Sequence, residues 1–78
     1  MSVRVRYFAA AAEAAGTDAE DRAETTLVAL RTAIAAAHPA LVGILDRCAV
    51  LVDGTRHDDD VALTGATHVD VLPPFAGG

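Results

Sequence analysis

The residues best suited to do chemistry in this 78-residue sequence are its last seven, Leu72-Pro73-Pro74-Phe75-Ala76-Gly77-Gly78. A carboxylate on Gly78 is inert to nucleophiles until it gains a leaving group. Adenylation by ATP supplies one, as an acyl-phosphate anhydride. A sulfur nucleophile that then displaces AMP leaves a C-terminal thiocarboxylate. Such a group can hand its sulfur to a substrate held inside a partner protein. Glycine suits the step because no side chain obstructs the attacked carbon. In this chemistry Gly78 reacts, Gly77 precedes it, and the rest of the chain presents them.

The residues before the glycines shape that presentation. Pro73 and Pro74 stiffen the exit from a strand into an extended form. The three residues after Phe75 reach roughly 10 Å when extended. Two glycines leave the tip thin enough for a narrow tunnel in another protein. A terminal Gly-Gly by itself reads as a disordered chain end. Behind an apolar strand, two prolines and one large aromatic residue, it reads as a projecting tail over 73–78. Phe75 lies beyond the prolines, where its own domain offers little cover, and reads better as an anchor for a partner than as a residue folded back onto the sheet.

No other group competes for the role. Cys48 is the single cysteine, so no intramolecular disulfide forms, and it reads as a small, partly buried core residue rather than a relay thiol. His38, His57 and His68 lack the spacing of metal ligands. His38 suits a helix C-terminus, where its charge is favourable, and His57 and His68 read as exposed strand positions. Asp58-Asp59-Asp60 lacks the alternation, central glycine and closing glutamate of a calcium loop; it reads as a solvated loop that helps steer the chain toward a basic partner. The sequence has no lysine, hence no side-chain amine for Schiff-base or isopeptide chemistry. No nucleophile–base pair and no phosphate loop suggests an enzyme with its own active site.

Composition sets the bounds. The length predicts one domain over residues 1–78, which buries only about 60% of the surface its unfolded chain exposes. A deep pocket has no room. Much of the 53% hydrophobic fraction is alanine, which favours helix and adds little core volume. The net charge of −5 disfavours nucleic-acid binding. No segment approaches the roughly 18 apolar residues that span a bilayer, and Arg4, Arg6 and Glu13 interrupt the apolar opening against a signal peptide. A cytoplasmic protein without membrane attachment is expected.

The elements that must position the tail follow from periodicity. Val3, Val5 and Tyr7 alternate with Arg4 and Arg6, a strand with one apolar face. Ala9 to Ala15 favours a short helix, with Gly16 as its stop. A short second strand falls near Ala19 to Ala23. Thr26 can cap the main helix, whose Leu27, Leu30 and Ile34 share a face. His38-Pro39 closes it, with one further helical turn over Ala40 to Leu45. Ala49 to Val52 and Thr55 to His57 form a hairpin about Asp53-Gly54. Val69 to Leu72 is the last strand, ended by the prolines. The order predicts an α+β chain in which a mixed sheet of four to five strands wraps one main helix, the β-grasp or ubiquitin-like architecture.

On these residues the chain resembles the MoaD/ThiS sulfur-carrier family over nearly its whole length. The anchors are Val3-Arg4-Val5-Arg6-Tyr7-Phe8-Ala9, Glu13 with Gly16, the helix start Thr26 to Leu30, and the run from Val69 to Gly78. The Pro-Pro before Gly-Gly is similar to the molybdopterin branch rather than the thiazole branch. The resemblance implies an adenylating enzyme related to ubiquitin E1 proteins, which uses ATP; a sulfurtransferase that loads the thiocarboxylate; and the large subunit of molybdopterin synthase, where sulfur passes to cyclic pyranopterin monophosphate. It implies no cofactor bound by the chain itself. It places partner contacts at Phe8, Leu72, Pro73, Pro74, Phe75 and Ala76. Departures from the family pattern fall at Ala12, Arg56 and the turn Thr64 to His68. An alternative with the same chemistry is sulfur transfer for thiazole or cysteine synthesis; alternatives of other classes are a ubiquitin-like modifier joined to protein lysines through Gly78 and a bare interaction module with an inert tail.

Overall fold

The computed structural model describes residues 2–74. Strand β1 (Val3–Tyr7) forms where the alternation predicts, with Val3, Val5 and Tyr7 buried and Arg4 exposed. Helix α1 (Ala10–Ala15) stops at Gly16, whose positive φ of 73° suits a residue without Cβ and whose N–H donates to the Ala12 carbonyl. Ala9 departs from the expected helix: it takes φ 50° and ψ −124° instead. Strand β2 (Ala19–Arg22) then returns antiparallel to β1, with Glu20 opposite Val5.

The main helix, α2, runs Leu27–Ala37. The Thr26 hydroxyl accepts from the Ala29 N–H at 3.2 Å, as a capping threonine should. A second acceptor comes from far along the chain: Asp60 Oδ1 receives the Val28 N–H at 2.8 Å. The acidic run is therefore more than a solvated loop, because its last member closes the start of α2. The residues after it also pair with the chain before the helix. The Leu27 N–H donates to the Val61 carbonyl and the Leu63 N–H to the Thr25 carbonyl, which seats Leu63 in the core. Pro39 ends α2; a 3-10 turn (Pro39–Leu41) and the short α3 (Val42–Leu45) bring the chain back to the sheet.

Strands β3 (Ala49–Val52) and β4 (Thr55–Arg56) form the hairpin, with φ 47° at Asp53 and 86° at Gly54, the two positive values that a type I′ turn demands. His57 lies just past β4 and is half-buried, its N–H donating to the Val50 carbonyl; His68 is half-buried as well. Neither is the exposed strand residue expected from sequence. Strand β5 (His68–Leu72) completes a five-stranded sheet of order β2-β1-β5-β3-β4. β1 and β5 are parallel, and the other pairs antiparallel.

The core lies between one sheet face and α2. Val5, Val69 and Val71 from the two central strands meet Leu27, Leu30, Ile34 and Leu41. Each such side chain contributes about 1.5–3 kcal/mol when fully buried. A mixed sheet folded over one main helix is the β-grasp, ubiquitin-like architecture that the order of elements predicts.

Candidate functional site

The strand leading into the tail is held more firmly than an edge strand could be. β5 has β1 on one side and β3 on the other: Tyr7 lies opposite Val71, and Ala49 opposite Leu72. The register ends on a further backbone bond, from the Phe8 N–H to the Val71 carbonyl at 3.2 Å. Because β1 and β5 run the same way, the end of β1 arrives beside the start of the tail. Leu72 is half-buried, Pro73 buried and Pro74 exposed. Phe75, Ala76, Gly77 and Gly78, the remaining tail positions singled out by sequence, lie outside the described residues.

Phe8 therefore stands next to the root of the tail, and it is 40% exposed, a high value for one of only two phenylalanines. Alternation along β1 carries Arg4, Arg6 and then Phe8 toward the sheet face that α2 leaves open. On that face Arg6 lies opposite Asp70 and grips it with two parallel bonds, Nε to Oδ1 at 2.5 Å and Nη2 to Oδ2 at 2.8 Å. The fork satisfies both oxygens of a carboxylate that is only 8% exposed. The bond to Asp70 raises the Arg6 guanidinium pKa. The result is a nearly neutral polar spot beside Leu72 and Phe8. Arg56, at the far edge of the sheet, is exposed and paired with Asp58.

Ala9, which follows Phe8, occupies backbone space that a side chain rarely takes. Strain of this kind costs on the order of 1–3 kcal/mol. It occurs here at the turn beside the tail root rather than in a remote loop.

A second polar cluster, which no sequence pattern signals, lies where the end of β1, strand β2 and the C-terminus of α2 meet. The Tyr7 hydroxyl donates to Glu20 Oε2 at 2.7 Å, and His38 Nε2 meets the same oxygen. The His38 ring stands edge-on to Tyr7, 5.8 Å between centroids. Burial and then the bond to Glu20 push the Tyr7 phenol well above its ordinary range. Burial opposes ionisation of Glu20, yet the bonds from Tyr7 and His38 outweigh it and hold that carboxyl below the usual value. His38 does sit at a helix C-terminus as predicted, and it also pins that end of α2 to strand β2.

Cys48 is buried, and its Sγ–H points to the Ile44 carbonyl at 3.3 Å. Burial pushes the thiol pKa up, against the smaller pull of Arg31 and Arg47. A buried thiol of this kind is a poor nucleophile, in agreement with its reading as a core residue. Among the described residues no three of His, Cys, Asp and Glu stand close enough to hold a metal ion, and no single helix is long and apolar enough to cross a membrane. What the described surface offers is a strand paired on both sides as far as Leu72 and an exposed aromatic, Phe8, bonded to it at Val71.

Comparison with known proteins follows that geometry. A model of the ThiS family matches residues 5–78. The fold matches the crystal structure of small archaeal modifier protein 1 from Haloferax volcanii with a TM-score of 0.84 and 26% identity, over 100% of both chains. A Pyrococcus furiosus protein with the provisional name molybdopterin converting factor, subunit 1, matches at a TM-score of 0.75 and 21% identity, over 95% of this chain and 98% of that one. Small archaeal modifier protein 1 from Methanosarcina acetivorans matches at 0.75 and 20%, over 99% and 96%. No curated protein sequence matches the chain closely enough to count as a relative.

Proposed function

This chain belongs to the ThiS family, and on that premise we propose that it carries sulfur as a thiocarboxylate on Gly78. The observation that supports this most is the placement of the tail root. The last strand is the middle strand of the sheet, paired with β1 and β3 as far as Val71 and Leu72, so the root at Pro73 is held from both sides. The family match, moreover, runs through residue 78. The buried Cys48 thiol adds a supporting argument, since it leaves the C-terminal carboxylate as the group able to bear sulfur.

The steps balance simply. A carboxylate oxygen of Gly78 attacks the α-phosphorus of ATP in an E1-like adenylating enzyme, and pyrophosphate leaves. A hydrosulfide equivalent, supplied by a sulfurtransferase, attacks the acyl carbon. The C–S bond forms, the C–O bond to AMP breaks, and a proton is released with the thiocarboxylate. Phe8, Leu72, Pro74 and Phe75 would contact the partner around the inserted tail, while Pro73, buried at the root, orients it. The finer assignment is delivery to cyclic pyranopterin monophosphate in the large subunit of molybdopterin synthase. It is favoured by the Pro73-Pro74 step before the glycines. Sulfur transfer for thiazole or cysteine synthesis would use the same tail with another acceptor.

A second reading has its own support: full-length similarity to a small archaeal modifier protein at 26% identity points to Gly78 joined to lysines of other proteins. Both readings share adenylation. They part at the acceptor, so incubating the activated chain with cell extract and blotting for covalent adducts separates them. A ladder of lysine adducts favours the modifier. Dithiolene product formed with a purified large subunit and pyranopterin substrate favours the carrier for molybdopterin.

A further inference from the structure

Ala9 has φ 50° and ψ −124°, the backbone of the first central position of a type II′ turn, where glycine is the usual residue. The turn is closed, since the Ala11 N–H donates to the Phe8 carbonyl at 3.0 Å. Ala9 is itself exposed, so its methyl group gains no burial that would offset the strain. Glycine would take the same backbone without steric cost. The alanine must therefore be judged by what it does to its neighbour.

That neighbour is Phe8. Its N–H is tied to Val71 and its carbonyl to Ala11, while its ring remains exposed. With Ala9, Arg6, Ala12 and Asp18 it borders an open concavity in the surface. The two hydrogen bonds fix the ends of the Phe8 peptide units, and the residue that follows decides how far they can tilt. At positive φ the space allowed to alanine is small, whereas that allowed to glycine is broad. An alanine forced into this turn holds it to one geometry.

We propose that Ala9 is a positioning residue: its restricted backbone keeps the exposed Phe8 ring pre-ordered beside the tail root for docking to the adenylating enzyme. The strain is the structural cost of that order, and the gain is an interface side chain that loses less freedom on binding. The inference rests on the adenylation step common to both readings above, because it takes the adenylating enzyme as the partner.

The test compares the unaltered chain, Ala9→Gly, Phe8→Ala and the double variant. For each, the Tm is measured, and the affinity for the cognate E1-like adenylating enzyme is read by calorimetry in the presence of ATP. Ala9→Gly is expected to raise the Tm and weaken binding roughly two- to tenfold, the range that ordering one side chain implies. In the Phe8→Ala background the same glycine is expected to raise the Tm and leave affinity unchanged, since there is no ring left to order. Unchanged affinity for Ala9→Gly overturns the inference, as does an equal loss in both backgrounds or a lowered Tm. If the enzyme fails to bind even the unaltered chain, the proposed adenylation of Gly78 falls and takes this inference with it, an outcome distinct from the others.

Discussion

The Phe8 N–H donates to the Val71 carbonyl at 3.2 Å, and this one bond joins the exit of the first strand to the root of the tail. Phe8 and Val71 are far apart in sequence, but the parallel pairing of β1 and β5 delivers them to the same end of the sheet. Everything proposed for the tail depends on that junction being rigid, and the core beneath it is what makes it so.

Leu30 tests that core. It is 1% exposed, in the first turn of α2. Leu30→Ala removes buried methyl groups and leaves a cavity, at a cost of about 2–5 kcal/mol. Native domains have only about 5–15 kcal/mol in total, and a chain this short belongs near the low end. Urea unfolding should show a much lower midpoint, or no folded baseline. A midpoint near that of the unaltered chain would show that α2 contributes little to holding the sheet.

Asp53 sets a pH dependence. Its Oδ1 accepts the Thr67 hydroxyl and N–H and the His68 N–H, which lock the hairpin turn to the start of β5. Those bonds, Thr67 first, lower its pKa from 3.8 to about 2. A depressed folded value means that the ionised form is the stabilising one. Its contribution is complete above the unfolded value of 3.8 and is lost as pH falls toward about 2. Asp53→Asn keeps a residue that tolerates positive φ and removes the charge. Thermal melts of this variant should vary less across that acidic window than those of the unaltered chain.

Tyr7 is the only tyrosine, so ultraviolet titration reports it alone. Burial, then the bond to Glu20, raise its pKa far above the ordinary 10.0. Here the neutral phenol is the stabilising form. Its contribution is present below the unfolded value of 10.0 and is lost as pH rises beyond it toward the folded value. Phenolate absorbance should appear late and together with unfolding, whereas Glu20→Ala should bring it earlier. A normal titration in the folded protein would contradict the Tyr7–Glu20 bond.

Removal of Gly78 separates presentation from folding. The truncated chain is expected to unfold at the same urea concentration as the unaltered chain, because the described core ends before the tail. It should also fail to become a thiocarboxylate. Loss of folding on truncation would show that the tail is part of the structure it was taken to extend from.

Much of this fold is readable from local patterns. Alternation marks β1, Thr26 marks the start of α2, Pro39 its end, and Asp53-Gly54 the hairpin. Long-range partners were not readable. Glu20 meets Tyr7 across 13 positions and His38 across 18, and Asp60 reaches Val28 across 32. No spacing rule links such residues until the sheet brings them together. Ala9 misleads in the other direction: in an alanine-rich run it favours helix, but closing the turn after β1 overrides that preference. At the site, the terminal glycines and prolines stand out in sequence and the family resemblance points to Phe8, whereas the placement of Phe8 beside Val71 follows only from the parallel register of β1 and β5.

The central claim is that Gly78 bears the sulfur, and an intact mass tests it most directly. The chain is incubated with its adenylating enzyme, ATP, a sulfurtransferase and a sulfur source, and weighed before and after. The predicted result is a gain equal to replacing one oxygen by sulfur, confined by fragmentation to Gly78 and absent without ATP. An unchanged mass under these conditions, or the added sulfur found on Cys48, would contradict it.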